Sequence, residues 1–103
     1  MFLVVALQAE AQPLITHFGL RCEPPTGMFR IYRSDAMALV ISGVGKSLSA
    51  AATGYLCGCS HGWRNAPWIN VGVAGHRDAD VGELIVANKI IDRKSTRLNS
   101  SHW

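Results

Sequence analysis

Glu10 stands where an apolar run, Phe2 to Ala6, gives way to a helical pattern, so its carboxylate falls in the first turn of a helix. Two roles suit a carboxylate there. As a charge alone it complements the positive end of the helix macrodipole. At the carboxyl end of a strand, where α/β sheets place their sites, it serves instead as a base or positions a water. His76 follows a glycine turn at a second such strand end, as a plain loop residue or as a ligand contact. Cys57, Cys59 and His61 offer three soft donors, but no second pair at ligand spacing follows them. They read as buried or simply reduced cysteines rather than as a metal centre, and Cys22 stands alone.

Gly43-Val-Gly-Lys-Ser47 resembles the end of a phosphate-binding P-loop, which needs a glycine six residues before its lysine. Val40 holds that position, and the loop is too short and apolar to wrap a triphosphate. A dinucleotide fingerprint fails too, because Leu48 stands where its third glycine belongs. Lys46 is read as capping or solvating a helix start. What remains is a strand, a glycine turn and a helix, which leaves free backbone N–H groups where an anion or a polar ligand can sit.

The elements that would position these residues follow from periodicity. Phe2 to Ala6 is a short β-rich run and the first central strand. Ala11, Leu14, Ile15 and Phe18 recur at helical spacing, with Pro13 tolerable in the first turn and Gly19 suited to ending the helix. Residues 22–27 read as a loop. Phe29 to Arg33 alternates as a half-exposed strand does, and Ser34-Asp35 turns it into the strand Ala36 to Ile41. Leu48, Ala51, Ala52, Tyr55 and Leu56 then share one helical face, in a helix ending near Cys57-Gly58. Trp68 to Gly75 reads as a buried strand closing in glycines, and Glu83 to Ile91 as a last strand after Gly82. Strands alternating with helices predict an α/β sheet covered on its faces.

With 103 residues and 49% hydrophobic content, the chain is globular and at most one small domain. It has no apolar run long enough to span a bilayer and no basic n-region ahead of its apolar start, so neither a membrane nor a signal peptide is expected. Three cysteines without framework spacing fit a reducing cytoplasm. The formal charge of +3 does not signal nucleic acid: residues 1–92 hold seven basic and seven acidic side chains, and the excess comes from Arg93, Lys94 and Arg97. Arg93 to Trp103 changes composition abruptly, lacks periodicity and closely resembles a translated sequencing-adapter read-through. It is set aside as an artefactual tail, joined somewhere between Asp92 and Lys94. Residues 1–92 then form the N-terminal part of a longer domain, and 93–103 the tail.

Three blocks in register carry a family resemblance: Ala6-Leu-Gln-Ala-Glu10; Ser42-Gly-Val-Gly-Lys46 with its alanine-rich helix; and Ile69-Asn-Val-Gly-Val-Ala-Gly75 followed by Asp80-Val-Gly-Glu-Leu-Ile-Val86. Together they resemble the nucleoside phosphorylase/nucleosidase family over residues 2–92. The resemblance implies a three-layer α/β/α phosphorylase-like fold with a central mixed sheet, truncated after its N-terminal part. It implies cleavage of the N-glycosidic bond of a purine nucleoside in the cytoplasm, by a protein that is a homo-oligomer at full length. Glu10 falls on the glutamate that positions or activates the attacking water. Ala6 and Leu7 fall on the turn beside the ribose, and Ala74 and Gly75 on backbone flanking purine and ribose.

Departures from the pattern shape the expectation. Asn70 stands where purine-type phosphorylases usually place an arginine, which favours hydrolysis over phosphorolysis; in a phosphorylase, inorganic phosphate would be the co-substrate. No other cofactor and no metal is expected. Val73 replaces a common serine or threonine at the substrate site, and His76 replaces a residue that is often glycine and could re-dress the cleft. The family's ribose clamp and its purine-protonating aspartate match nothing in the sequence. Cleavage needs both halves, because the base leaves as an anion unless protonated and the ribosyl cation needs anionic company. The chain alone is therefore expected to be inactive. The rival readings are a non-catalytic nucleoside-binding or partner module and, further off, a P-loop nucleotide-binding fragment.

Overall fold

The computed structural model describes residues 1–24, 27–60, 65–75 and 77–91. In chain order the elements are β1 (Phe2–Val5), α1 (Gln8–Phe18), β2 (Arg21–Cys22), β3 (Arg30–Arg33), β4 (Ala38–Ile41), α2 (Lys46–Gly58) and β5 (Trp68–Val71). The strands form one mixed sheet in the order β2-β3-β4-β1-β5. β4 and β5 flank β1 in parallel, with Leu3 opposite Leu39 on one side and Ile69 on the other. β3 pairs antiparallel with β4 as the expected hairpin, and β2 adds antiparallel to β3. The α/β class read from the sequence is thus present.

Alternation along β1 decides how the sheet is covered. Phe2 and Val4 pack with Ile31, Ala38, Val40 and the α2 residues Ala52 and Leu56. Leu3 and Val5 turn the other way, onto Leu39, Met37 and the α1 residues Ala11 and Ile15. Each helix therefore buries one face of the same three central strands. Small residues at Ala11 and Ala52, both fully buried, let the helix backbones lie close to the sheet.

Local chemistry sets the helix ends. Gly19 adopts the left-handed conformation (φ 63°) and ends α1, while the Leu20 N–H donates to the Ile15 carbonyl at 3.0 Å and Leu20 is buried against the last turn. Gly43 (φ 85°) and Gly45 (φ 110°) turn β4 into α2. Val40, the residue opposed to a P-loop reading, is a fully buried strand residue, so only the short turn 42–45 separates strand from helix.

Four expectations are corrected. β2, absent from the expected elements, forms at Arg21–Cys22 and takes in the first residue of the expected loop 22–27. α2 buries only Ala52 and Leu56 fully, leaving Leu48 and Ala51 exposed, because the helix contacts the sheet along a narrow line. β5 is four residues rather than eight and is an exposed edge, not a buried strand, since β1 covers one side of it alone. Residues 83–91 form no strand, and Leu84, Val86 and Ile90 stand exposed: β-rich composition gives a strand only where a ladder partner is available. The cysteines are free and exposed. His61, His76 and the tail 93–103 lie outside the described residues. Among the described residues no helix is long and apolar enough to cross a membrane.

Candidate functional site at the strand ends

The carboxyl ends of β4, β1 and β5 lie side by side, and the chain leaves each through one of the three blocks singled out from the sequence. Backbone bonds hold the first two together. Ser42 N–H donates to the Val5 carbonyl and Gly43 N–H to the Ala6 carbonyl, each at 2.9 Å. Ser42 is buried, and its hydroxyl donates to the Gly43 carbonyl at 2.8 Å. A Cβ at Gly43 would come within 2.9 Å of Leu48 Cδ1, so the turn is fitted to glycine by space as well as by φ.

Glu10 ties the first and third blocks. It is the third residue of α1, and its Oε1 accepts the Leu7 N–H at 3.2 Å, the return half of a capping box. Leu7 precedes the helix and has no side-chain acceptor to complete the other half. Glu10 Oε2 reaches across to the loop after β5 and accepts the Val73 N–H at 2.9 Å. Gly72 lies directly beneath, where a Cβ would meet the same oxygen at 3.7 Å. One carboxylate thus bonds backbone at the ends of β1 and β5.

Beside this link opens a cleft of about 510 Å³, lined by Ala6, Ser42, Gly43, Lys46, Asn70 and Ile90 among others. It sits at the N-terminus of α2, where backbone N–H groups have no intrahelical partner. Of the residues expected to contact a ligand, Ala6 lines the cleft. Leu7 and Val73 are joined through Glu10 rather than through their side chains, and the Val73 isopropyl group points to solvent. Ala74 and Gly75 continue the exposed loop after β5. Ser42 opens the second block of the family resemblance but was not among the residues expected to contact the ligand; the structure places it in the cleft lining.

A second cleft, of about 530 Å³, lies away from the strand ends, between residues 22–24 and 27–29, β3 and the last turns of α2. Phe29 and Tyr55 pack there with ring centres 5.7 Å apart. A Cβ at Gly27 would overlap the Tyr55 hydroxyl, so any larger residue there requires that ring to shift. Arg33 is held by Glu23 Oε1 at 2.9 Å and donates to Ser60 Oγ at 3.3 Å. Burial first, then the neighbouring Cys59 and Glu23, push the Tyr55 phenol above its usual 10.0. Among the described residues no group of three or more His, Cys, Asp or Glu side chains could hold a metal ion.

Comparison with known proteins found no family model, no curated protein and no solved structure that matches this chain.

Proposed function

We propose that the chain is the N-terminal part of a nucleoside phosphorylase/nucleosidase-like protein of three-layer α/β/α architecture, and that it carries the nucleophile half of a nucleoside site. The observation that supports this reading is the Glu10–Val73 bond, which brings the first and third sequence blocks to one place at adjacent strand ends. The second block forms the neighbouring cleft wall.

A carboxylate offers about four lone-pair directions, and two backbone N–H groups use two of them. The remaining capacity suits a water held against the sugar carbon, with Glu10 accepting its proton as the water attacks. The nucleoside lies over the end of β1, with Ala6 and Leu7 beneath the ribose and the 73–75 loop beside the base. Asn70 in the cleft offers an amide where a phosphorylase would place an arginine, which favours water over phosphate as nucleophile; Lys46, in the same lining, is the cation that a phosphate would have to use instead. The sequence matches neither the ribose clamp nor the proton-donating aspartate that the resemblance calls for, so on this reading the chain binds a nucleoside without cleaving it.

Adenosine titrated into the isotopically labelled chain tests this. The expected result is movement of the Leu7, Val73 and Ala74 amide resonances, lost in Glu10→Ala, without release of adenine. Unmoved amides at millimolar adenosine overturn the reading. In a longer reading frame from the same source DNA that supplies a ribose clamp and a proton donor, base release is expected without phosphate. There, Glu10→Gln lowers the rate by about 10²–10⁴-fold, the usual contribution of a positioned base.

A further inference from the structure

We infer that Gln8 is a positioning residue for the strand-end site. Braced against Arg30 and Tyr32 of β3, it sets the rotation of the first turn of α1 and so delivers the Glu10 carboxylate to the Val73 loop. What this does for a nucleoside rests on the reading proposed above; the brace itself belongs to the fold.

Gln8 opens α1 and Arg30 opens β3. Arg30 lies opposite Ile41, the last residue of β4, so it stands at the same end of the sheet as the candidate site. Gln8 Oε1 accepts a hydrogen bond from Arg30 Nη1 at 2.7 Å. Gln8 Nε2 donates to the Tyr32 hydroxyl at 3.1 Å and to Gln12 Oε1 at 3.2 Å. Arginine carries donors only, so the amide turns its oxygen to Arg30 and leaves its N–H groups for Tyr32 and Gln12. One amide thus ties the helix start to a strand two places from β1, across β4.

Helix geometry links this brace to Glu10. Residues two apart stand about 200° apart around the helix axis, so Gln8 and Glu10 leave opposite sides of the turn. Gln8 reaches toward β3, and Glu10 toward the loop after β5, on the other flank of β1. The turn is therefore held from both sides, and a rotation that slackens one bond disturbs the other. Burial does little to fix that rotation. The buried residues of α1, Ala11 and Ile15, come after Glu10, whereas Leu7 and Ala9 are exposed and Leu7 supplies no side-chain cap. Polar bonds set the orientation here, and the charge on Arg30 strengthens the one it makes.

Amide hydrogen exchange at Val73, followed beside Val4 in the core, tests this in the 103-residue chain without any ligand. Gln8→Leu keeps the size and helix preference of the side chain but removes both polar ends. It is expected to speed Val73 exchange about three- to tenfold. Arg30→Leu, which leaves α1 untouched, is expected to do the same. Gln8→Glu should keep the wild-type rate, because a carboxylate accepts from both Arg30 and the Tyr32 hydroxyl. In a Glu10→Ala chain, Gln8→Leu should add nothing at Val73, since its effect passes through the carboxylate. A general loss of stability would instead speed Val4, which opens with the whole fold, and leave the locally opening Val73 as it was. Unchanged Val73 exchange in Gln8→Leu and Arg30→Leu overturns the inference. So does a Gln8→Glu chain as fast as Gln8→Leu, or an undiminished effect in the Glu10→Ala chain. Wild-type amides unmoved by adenosine defeat the nucleoside reading alone, because the exchange result is scored without it.

Discussion

Glu10 Oε2 accepts the Val73 backbone N–H at 2.9 Å, so one carboxylate in the first turn of α1 fastens the loop that leaves β5. Its other oxygen accepts the Leu7 N–H. Whatever ligand the strand ends hold, the approach of the 72–75 loop to α1 is set by this side chain. Charge-assisted bonds of this kind contribute more than neutral ones, typically about 1.5–3 kcal/mol each when buried and less when water competes. Glu10 is half-buried. Glu10→Ala is therefore expected to destabilise the chain by about 1–3 kcal/mol, read from chemical denaturation. It should also raise hydrogen exchange at the Val73 amide above that of Val4 in the core. Unchanged Val73 exchange would show that the bond does not fix the loop.

That link also marks how far the sequence alone could reach. Glu10 drew attention through its own position, after an apolar strand and before a helical pattern. Val73, 63 residues away, entered only as a substrate-site position implied by the family resemblance; its pairing with Glu10 was not legible, because it contributes only a backbone N–H and its side chain points to solvent. The same distinction holds for the fold. β1, the Gly19 stop, the β3–β4 hairpin and α2 were legible because each is specified by local periodicity or turn chemistry. β2 was not, since two exposed residues carry no pattern and owe their conformation to β3. For β5 and residues 83–91 the composition was read correctly as β-rich. What it could not tell was which side of a strand another strand would cover.

Gly43 meets two constraints at once, and they predict more than an ordinary glycine replacement. Its φ of 85° is costly for any residue with a side chain, and a Cβ there would press to 2.9 Å on Leu48 Cδ1. Leu48 is half-exposed and can swing away, so the backbone conformation is the larger cost. Gly43→Ala is expected to lose about 1–3 kcal/mol, measured as a lower denaturation midpoint. Gly54→Ala, in mid-helix with nothing within 4 Å of the added carbon, should gain roughly 0.5–1 kcal/mol instead. Equal effects at the two positions would refute the assignment of strain to the turn.

The packing of α1 and α2 on opposite faces makes Leu39 and Leu56 a matched pair. Leu39 fills the α1 side and Leu56 the α2 side, and both are fully buried. Each truncation to alanine should cost about 2–5 kcal/mol, a large share of the stability of so small a domain. The side chains lie on different faces of the sheet, so the two losses are expected to add in a chain stabilised enough to measure both. Strong non-additivity would mean that the helices do not pack as independent layers.

Tyr55 gives a prediction that depends on pH. Burial, Cys59 and Glu23 each favour the neutral phenol in the folded chain, in that order, so its folded pKa lies above 10.0. Below 10.0 both folded and unfolded chains hold the proton, and the favourable contribution is complete. As pH rises past 10.0 the unfolded chain loses the proton first, and stability falls until the folded phenol has also ionised. In Tyr32→Phe, Tyr55 is the sole tyrosine, and phenolate absorbance near 295 nm follows it directly. The midpoint is expected above that of the same chain in denaturant. Cys59→Ser should move it back toward the ordinary value without abolishing the shift, because burial is the larger cause. A Cys59→Ser midpoint equal to the denatured one would instead make Cys59 the main source.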